Sequence, residues 1–219
     1  MSIIGLSGRK QVGKDLTASI IQCLCFKNNL PHSYAKLSYE DFCKTYINTL
    51  ANHWKVVKFA DKLKDIVCLI LGCTREQLED ETFKNTLLGE EWSTPYEDWN
   101  ISYGTIWTPR SLMQFLGTDI GRNRIATNIW VNSTMANYTH SNQWIISDVR
   151  FPGEAKAIHN KEGIIIRINR PSIMSNDQHE SETALDNYDN FDYVLDNSGD
   201  IPKLIEKVRD ILILEGIIN

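Results

Sequence analysis

The feature that most constrains this chain is a glycine-rich octapeptide, GRKQVGKD, at residues 8–15. It follows a short apolar run at residues 2–7 and precedes a segment whose apolar residues recur at helical spacing. The octapeptide fits the pattern G-x-x-x-x-G-K, in which two glycines let backbone N–H groups turn inward around phosphate oxygens. The helix that follows adds its positive N-terminal end. This context predicts a phosphate-binding loop; a glycine-rich turn without a ligand is the alternative interpretation.

The loop also predicts how a nucleoside triphosphate would be held. Lys14 supplies an ammonium group to the β- and γ-phosphates. Asp15 stands where serine or threonine usually offers a hydroxyl to Mg²⁺, and its carboxylate is a suitable ligand directly or through water. The residues expected to bind the phosphates of ATP are Gly8, Arg9, Lys10, Gln11, Val12, Gly13, Lys14 and Asp15.

Strand and helix patterns alternate along the rest of the chain. Apolar and β-branched runs predict strands at 2–7, 54–59, 143–148, 163–168 and 191–195. Periodicity and capping residues predict helices at 15–26, 39–50, 61–71, 74–84, 108–120, 152–160 and 201–212. Residues 87–107, rich in aromatics, have no clear period and are interpreted as an ordered excursion. The alternation predicts an α/β fold with a central parallel sheet between layers of helices.

The composition limits the partners of the chain. Of its 219 residues, 23 are Lys or Arg and 28 are Asp or Glu, which gives a net charge of −5. An acidic total argues against a broad nucleic-acid-binding face, whereas a small anionic ligand needs only a few local cations. No apolar run reaches the roughly 18 residues of a membrane span, and the first residues show neither the basic region nor the long apolar run that is typical of a secretion signal. We therefore expect no nucleic acid or membrane partner and a cytoplasmic protein.

An acidic residue closes the apolar strand predicted at 143–148. A carboxylate in this position, here Asp148, organises the Mg²⁺ shell in phosphate-loop enzymes. Arg150 follows two residues later, and its guanidinium is a further candidate for the site. A turn carboxylate and a surface salt bridge are the structural alternatives for these two residues.

The helix predicted at 108–120 begins with an N-cap, Thr108, followed by Pro109. Arg110, Gln114 and Thr118 recur every four residues on its polar face. A guanidinium with an amide one turn away can bind an oxyanion and read a base edge, and a solvated helix face is the alternative. The side expected to be buried comprises Leu112, Met113, Leu116 and Ile120.

Five blocks of sequence occur in a characteristic order: GRKQVGKD at 8–15, FADKLK at 59–64, TPRSLMQFLGTDIGR at 108–122, WIISDVRFP at 144–152 and HESE at 179–182. Together they resemble the bacteriophage-type deoxynucleoside monophosphate kinases. Each block alone is a weak signal, whereas five in the order of that family are specific. The resemblance extends from Ile3 to about Asn197.

The resemblance implies one P-loop kinase domain over residues 1–219, with a monophosphate-binding insertion within about 38–140 and a lid at about 169–190. The implied reaction transfers a phosphoryl group from ATP to a deoxynucleoside monophosphate (dNMP), giving ADP and a deoxynucleoside diphosphate, with Mg²⁺. By motif, Lys14, Asp148 and Arg150 are catalytic, and Asp15 and Asp148 are Mg²⁺ ligands. Arg170 joins the loop in binding ATP, and the acceptor is bound by Lys62, Arg110, Gln114, Asp119, Arg122 and Arg124.

Two other functions are left open by the sequence. The chain could phosphorylate a different small metabolite, such as dephospho-coenzyme A, or it could be a non-catalytic nucleotide-binding module. A base-reading role for Gln114 would favour the nucleotide kinase, whereas ATP binding without dNMP binding would favour the module. The choice among dNMPs and the existence of a homodimer are likewise open.

Overall fold

The computed structural model describes residues 2–30, 38–39, 41–43, 45, 49, 53–94, 102–172 and 180–219. Within these residues, strands pair in parallel to form one five-stranded sheet. The strands are β1 (Ile3–Ser7), β2 (Lys55–Val57), β3 (Trp144–Val149), β4 (Ile164–Asn169) and β5 (Tyr193–Asp196), in the order β2-β3-β1-β4-β5. The predicted α/β fold is confirmed.

The helices have a wide range of lengths. Those bounded within the described residues are α1 (Lys14–Asn28), α2 (Asp61–Leu71), α3 (Arg75–Glu79), α4 (Glu81–Asn85), α5 (Pro109–Gln114), α6 (Ile129–Met135), α7 (Pro152–His159), α8 (Glu180–Thr183) and α9 (Ile201–Leu214). A 3₁₀ helix covers Glu90–Trp92, and a π-helix covers Phe115–Ile125. No helix in the described part of the chain is long and apolar enough to cross a membrane.

Helices cover both faces of the sheet. Every residue of β1 and β3 is buried, as is typical of parallel strands in the middle of three layers. Alternate side chains of a strand point to opposite faces. Ile4 and Leu6 join the core formed with α1 and α9. On the opposite face Gly5 makes room for α7, because a Cβ added there would lie 2.7 Å from Cδ1 of Ile158.

The chain divides into two compact units. The first comprises Met1–Phe59 and Asn137–Asn219 and contains the sheet; the second comprises Ala60–Ala136 and contains α2 to α6. The second unit lies within the segment 38–140 that was assigned to the monophosphate-binding insertion. That assignment of function to the insertion, like that of a lid at 169–190, stays a prediction.

The helix predicted at 74–84 is in fact two helices. Asp80 has extended backbone (φ −68°, ψ 127°), which ends α3, and its carboxylate accepts the N–H of Phe83 at 2.7 Å, which begins α4. An aspartate inside a helical pattern can serve as an N-cap, and the periodicity alone did not reveal that choice. The capping box predicted at Thr74 and Gln77 is confirmed.

The helix predicted at 108–120 changes type at Phe115. It begins as predicted, with Thr108 as N-cap, and it is α-helical only to Gln114. The π-helix that follows bonds each residue to the fifth before it, as in the bond from the N–H of Ala126 to the carbonyl of Gly121. This wider spacing changes the buried side, which is formed by Leu112, Gly117 and Gly121, whereas Met113, Leu116 and Ile120 are only partly buried.

Other differences are local. The helices α6 and α8 were not predicted, and β2 is shorter than the predicted strand at 54–59. In the excursion at 87–107, the structure has the 3₁₀ helix and an antiparallel bridge between Ser93 and Ile106, and residues 95–101 lie outside the described part. Of the helix predicted at 39–50, the described residues 39, 41–43, 45 and 49 are helical, and the remaining residues lie outside the described part of the chain.

Candidate active site

The glycine-rich loop has the backbone conformation that its sequence predicts. Gly8 and Gly13 have φ of 150° and 103°, in the left-handed half of the map that favours glycine. Space excludes a side chain as well. A Cβ at Gly8 would lie 2.6 Å from the carbonyl oxygen of Ile168, and one at Gly13 would lie 2.5 Å from Nδ2 of Asn197. Because α1 begins at Lys14, its positive end faces the loop.

Lys14 is held against its own loop. Its Nζ donates to the carbonyl oxygens of Gly8 at 2.6 Å and Arg9 at 2.8 Å. Burial, together with the positive charge of Arg150, lowers the pKa of Lys14 from 10.5 to about 8, while nearby carboxylates oppose this shift. The ammonium therefore stays charged at neutral pH and is easily deprotonated above it.

The carboxyl end of β3 places a second acidic group beside the loop, because neighbouring parallel strands end at the same edge of a sheet. Asp148 lies inside β3, one residue before its end, and is buried. Its Oδ1 accepts the N–H of Phe59 at 2.8 Å. Asp15 lies in the first turn of α1 with its side chain 79% exposed, and it pairs with Lys58 at 3.0 Å.

The two aspartates suit a divalent cation. Both act electrostatically on the ammonium of Lys14, so they lie in the same part of the first unit. Mg²⁺ usually takes one or two carboxylates together with substrate phosphates and water, and Asp15 and Asp148 supply such oxygens. Among the described residues, no group of three or more His, Cys, Asp or Glu side chains forms a metal site.

Arg150 is oriented from two sides. The carboxylate of Glu154, which is buried in α7, accepts the backbone N–H groups of Arg150 at 2.7 Å and Phe151 at 3.1 Å. The guanidinium of Arg150 forms an ion pair with Oε1 of Glu182. The other carboxylate oxygen of Glu182 accepts the backbone N–H of Lys10 at 2.8 Å. Lys14, Arg150 and the loop thus lie close together in the first unit.

A second ion pair lies beside the first. Asp186 accepts from Arg9 at 2.5 Å and from Arg167 at 3.4 Å, and Arg167 also donates to Oγ of Ser7 at 3.2 Å. Burial lowers the pKa of Arg167. Arg170, which was predicted to bind ATP, is exposed just after the end of β4. Residues 173–179 of the predicted lid, including His179, lie outside the described part.

Sequence reasoning missed three residues of this region. Asn197 is buried, and its side-chain amide donates to the carbonyl oxygen of Val12 at 2.8 Å. Glu182 lies in the HESE block and Asp186 follows it, and both contact the loop or its neighbours through their carboxylates. Their partners lie far away in the sequence, so no local pattern indicated them.

The predicted acceptor residues all lie in the second unit. Arg110 donates to Oε2 of Glu81 at 2.6 Å and to Oδ1 of Asn85 at 2.9 Å. Gln114 is exposed at the end of α5, one turn from Arg110. The four-residue spacing ends there, because Thr118 belongs to the π-helix. Of the remaining residues, Lys62, Asp119 and Arg124 are exposed and Arg122 is half-buried.

Sequence comparison identifies the family. Residues 94–208, more than half of the chain, match the sequence model of the family described as deoxynucleotide monophosphate kinase. The chain belongs to this family. The matched residues include Arg110, Asp148 and Glu182 and exclude the glycine-rich loop. The deoxynucleotide monophosphate kinase family consists of phosphotransferases, so the chain is an enzyme, and a non-catalytic role is not favoured.

Individual viral proteins are also similar in sequence to this chain. A candidate deoxynucleotide monophosphate kinase of Acanthamoeba polyphaga mimivirus is 32% identical over 164 residues, which cover 68% of this chain and 78% of the viral protein. The deoxynucleotide monophosphate kinase of Enterobacteria phage T4 is 32% identical over 111 residues, or 48% of this chain and 46% of the phage protein. The enzyme of the same name from Escherichia phage RB69 is 29% identical over 126 residues, or 54% and 51%.

Proposed function

We propose that this enzyme transfers the γ-phosphoryl group of ATP to a deoxynucleoside monophosphate and releases ADP and a deoxynucleoside diphosphate. The observation that carries the donor side is the glycine-rich loop, with two glycines at positive φ and Lys14 at the start of α1. Family membership and the names of the three viral relatives support the acceptor.

On the donor side, the backbone N–H groups of residues 8–15 bind the phosphates of ATP. Lys14 moves from the carbonyl oxygens of Gly8 and Arg9 to the β- and γ-phosphates, which are stronger acceptors because they are charged. Asp15 and Asp148 would hold Mg²⁺, which when bound neutralises charge on the phosphates. Arg170, at the base of the proposed lid at 169–190, binds ATP as the lid closes.

The chemical step needs positioning and charge neutralisation more than covalent catalysis. The acceptor oxygen is placed in line with the γ-phosphate, and negative charge on the transferred group is stabilised by Lys14 and Arg150. Arg150 suits this role, because a guanidinium offers several fixed donors to phosphate oxygens. We expect no covalent enzyme intermediate.

On the acceptor side, we assign the monophosphate and the base to residues of the second unit. The phosphate is bound by cations at positions 62, 110, 122 and 124, and the base edge is read by Gln114, with Asp119 as a further hydrogen-bond acceptor. Arg110 then exchanges its contact with Glu81 for the phosphate of the substrate. Because the carboxylate of Glu81 is 58% exposed, water can solvate it after the exchange.

The experiment that tests this function is a coupled ADP-release assay with the four dNMPs and their four ribose counterparts. We expect ADP release that depends on at least one dNMP and on Mg²⁺. If no nucleotide raises ADP release above the rate without acceptor, the proposed function is wrong. ADP release with dephospho-coenzyme A but with none of the eight nucleotides would show that the acceptor is a different metabolite. The assignment of ATP as the donor would then stand.

A further inference from the structure

The carboxylate of Glu182 contacts the loop to which we assign the phosphates of ATP. Its side chain is only 6% exposed, and its two oxygens have different partners. Oε2 accepts the backbone N–H of Lys10 at 2.8 Å, and Oε1 forms the ion pair with Arg150. A carboxylate so withdrawn from water is stable only when it is paired and hydrogen-bonded, and Glu182 has both kinds of contact.

This set of donors is the one that a phosphate group would use. A phosphate at the loop takes backbone N–H groups and a guanidinium, and a carboxylate presents a similar pair of charged oxygens to the same donors. Glu182 is also among the groups that favour the charged form of Lys14, so it lies within electrostatic range of that ammonium. The carboxylate and a nucleotide phosphate cannot occupy these donors together.

We propose that Glu182 is a positioning residue that holds Arg150 and the loop N–H of Lys10 in the nucleotide-free enzyme by taking the place of a nucleotide phosphate, and that ATP displaces it. The inference rests on the proposed function, because it takes ATP as the ligand of the loop. It assigns Glu182 a role in binding the donor nucleotide, separate from any contact with the acceptor.

A second carboxylate of the same segment supports the arrangement. Asp186 pairs with Arg9, so the segment containing α8 contacts two successive residues of the loop through acidic side chains. When ATP enters, Arg150 and the Lys10 N–H exchange a carboxylate for a phosphate. Each donor thereby keeps a charged acceptor in both states.

The test compares Glu182→Gln with a matched control, Glu180→Gln, which removes one charge from an exposed position of the same helix. ATP affinity is measured by isothermal titration calorimetry without dNMP. Because ATP no longer competes with a carboxylate, we expect Glu182→Gln to bind ATP about tenfold more tightly, or about 1.4 kcal/mol. Glu180→Gln should stay within about twofold of the wild type.

Thermal unfolding separates this role from a purely structural one. We expect Glu182→Gln to lower the Tm of the nucleotide-free protein and to leave that of the ATP-saturated protein unchanged, since Glu182 has left the loop in the second state. If Glu182 had a purely structural role, its replacement would lower both Tm values. Glu182→Asp keeps the charge on a shorter side chain that cannot span both partners, and its ATP affinity should fall between those of Glu182→Gln and the wild type.

The outcomes distinguish this inference from the proposed function. Suppose that the wild type phosphorylates a dNMP and that Glu182→Gln binds ATP no more tightly than the wild type does. The proposed role of Glu182 is then wrong, and the kinase assignment stands. If the wild type binds ATP, Glu182→Gln binds it more tightly, and no dNMP is phosphorylated, the role of Glu182 stands and the acceptor is wrong. A wild type that binds no ATP overturns both.

Discussion

The side-chain amide of Asn197 donates a hydrogen bond of 2.8 Å to the carbonyl oxygen of Val12, and this contact joins the turn after β5 to the glycine-rich loop after β1. Asn197 is itself fixed, since its backbone N–H bonds to the carbonyl oxygen of Asn169 at 2.7 Å. Its amide also fills the space that a side chain at Gly13 would need. The shape of the loop is therefore held from outside the loop.

Replacement of this amide should weaken both the fold and the loop. Asn197→Ala leaves the buried carbonyl of Val12 without its donor, and we expect the free energy of unfolding to fall by about 1–3 kcal/mol and the KM for ATP to rise. Urea denaturation and steady-state kinetics measure the two effects. Asn160→Ala, at an exposed position after α7, is the control. Unchanged stability and KM in Asn197→Ala would show that the contact is dispensable.

Loss of the Lys14 ammonium should remove most of the activity. We expect Lys14→Ala to lower kcat/KM for ATP by at least about 100-fold, the scale of a donor that stabilises charge in the transition state. Lys27→Ala changes the same residue type at the other end of α1 and should retain activity. Near-normal turnover by Lys14→Ala would contradict the proposed mechanism.

The lowered pKa of Lys14 predicts a pH dependence. As the pH rises through about 8, the free enzyme loses this positive charge, so kcat/KM for ATP should fall. Bound phosphates stabilise the ammonium, and kcat should therefore decline at a higher pH. Profiles from pH 6 to about 10 at saturating dNMP measure both quantities. A kcat/KM profile that stays flat through this range would contradict the assignment of Lys14.

The same shift has the opposite effect on stability. Between about pH 8 and 10.5 the unfolded chain holds the Lys14 proton more tightly than the folded protein does. The free energy of unfolding therefore gains from Lys14 as the pH rises through this window. Lys14→Gln, which does not titrate, should lack this gain when the two proteins are compared by urea denaturation.

Gln114 should influence the choice of base. We expect Gln114→Ala to change the order of kcat/KM among the four dNMPs. Any effect on KM that is shared equally by the four dNMPs should be smaller. An amide that reads a base edge contributes about 1–3 kcal/mol to discrimination. Asn132→Ala, at an exposed position of α6, is the control. An equal loss for all four dNMPs would contradict base reading.

Gly121 should be required for the π-helix. A Cβ at this position would lie 2.8 Å from the carbonyl oxygen of Leu116 and from the ring of Trp130. We expect Gly121→Ala to lower the free energy of unfolding by about 1–3 kcal/mol, as in other overpacked sites. In Gly199→Ala the nearest atoms are carbons of the Lys203 side chain at 3.2 Å, which can move away, so its stability should change less. Equal stability of the two variants would contradict this account.

The regular parts of the fold were predictable because their signals are local. Continuous apolar runs identified β1 and β3, and the residue pairs of the capping motifs at Thr74 and Thr108 identified helix starts. The loop was predictable for the same reason, because its glycines, lysine and flanking elements are contiguous in the sequence.

What the sequence did not predict depends on distant contacts. The π-helix uses residue types that also suit an α-helix, and it is accompanied by packing of Leu63 against Gly117 and by a hydrogen bond from Trp130 to the Gly117 carbonyl. The contacts of Asn197 and Glu182 with the loop join residues more than 170 positions apart. Periodicity carries no information about such pairs, so these residues became recognisable only in the structure.

The second unit is inserted into the first through only two covalent connections. The chain leaves the sheet unit after Phe59 and returns at Asn137, and the exit is secured by the bond from the Phe59 N–H to Asp148. All six residues assigned to the acceptor lie between these points. Residues 60–136 can therefore be exchanged as one segment. A chimera in which they are replaced by the corresponding segment of a relative should have the acceptor preference of that relative and keep the ATP site of this chain.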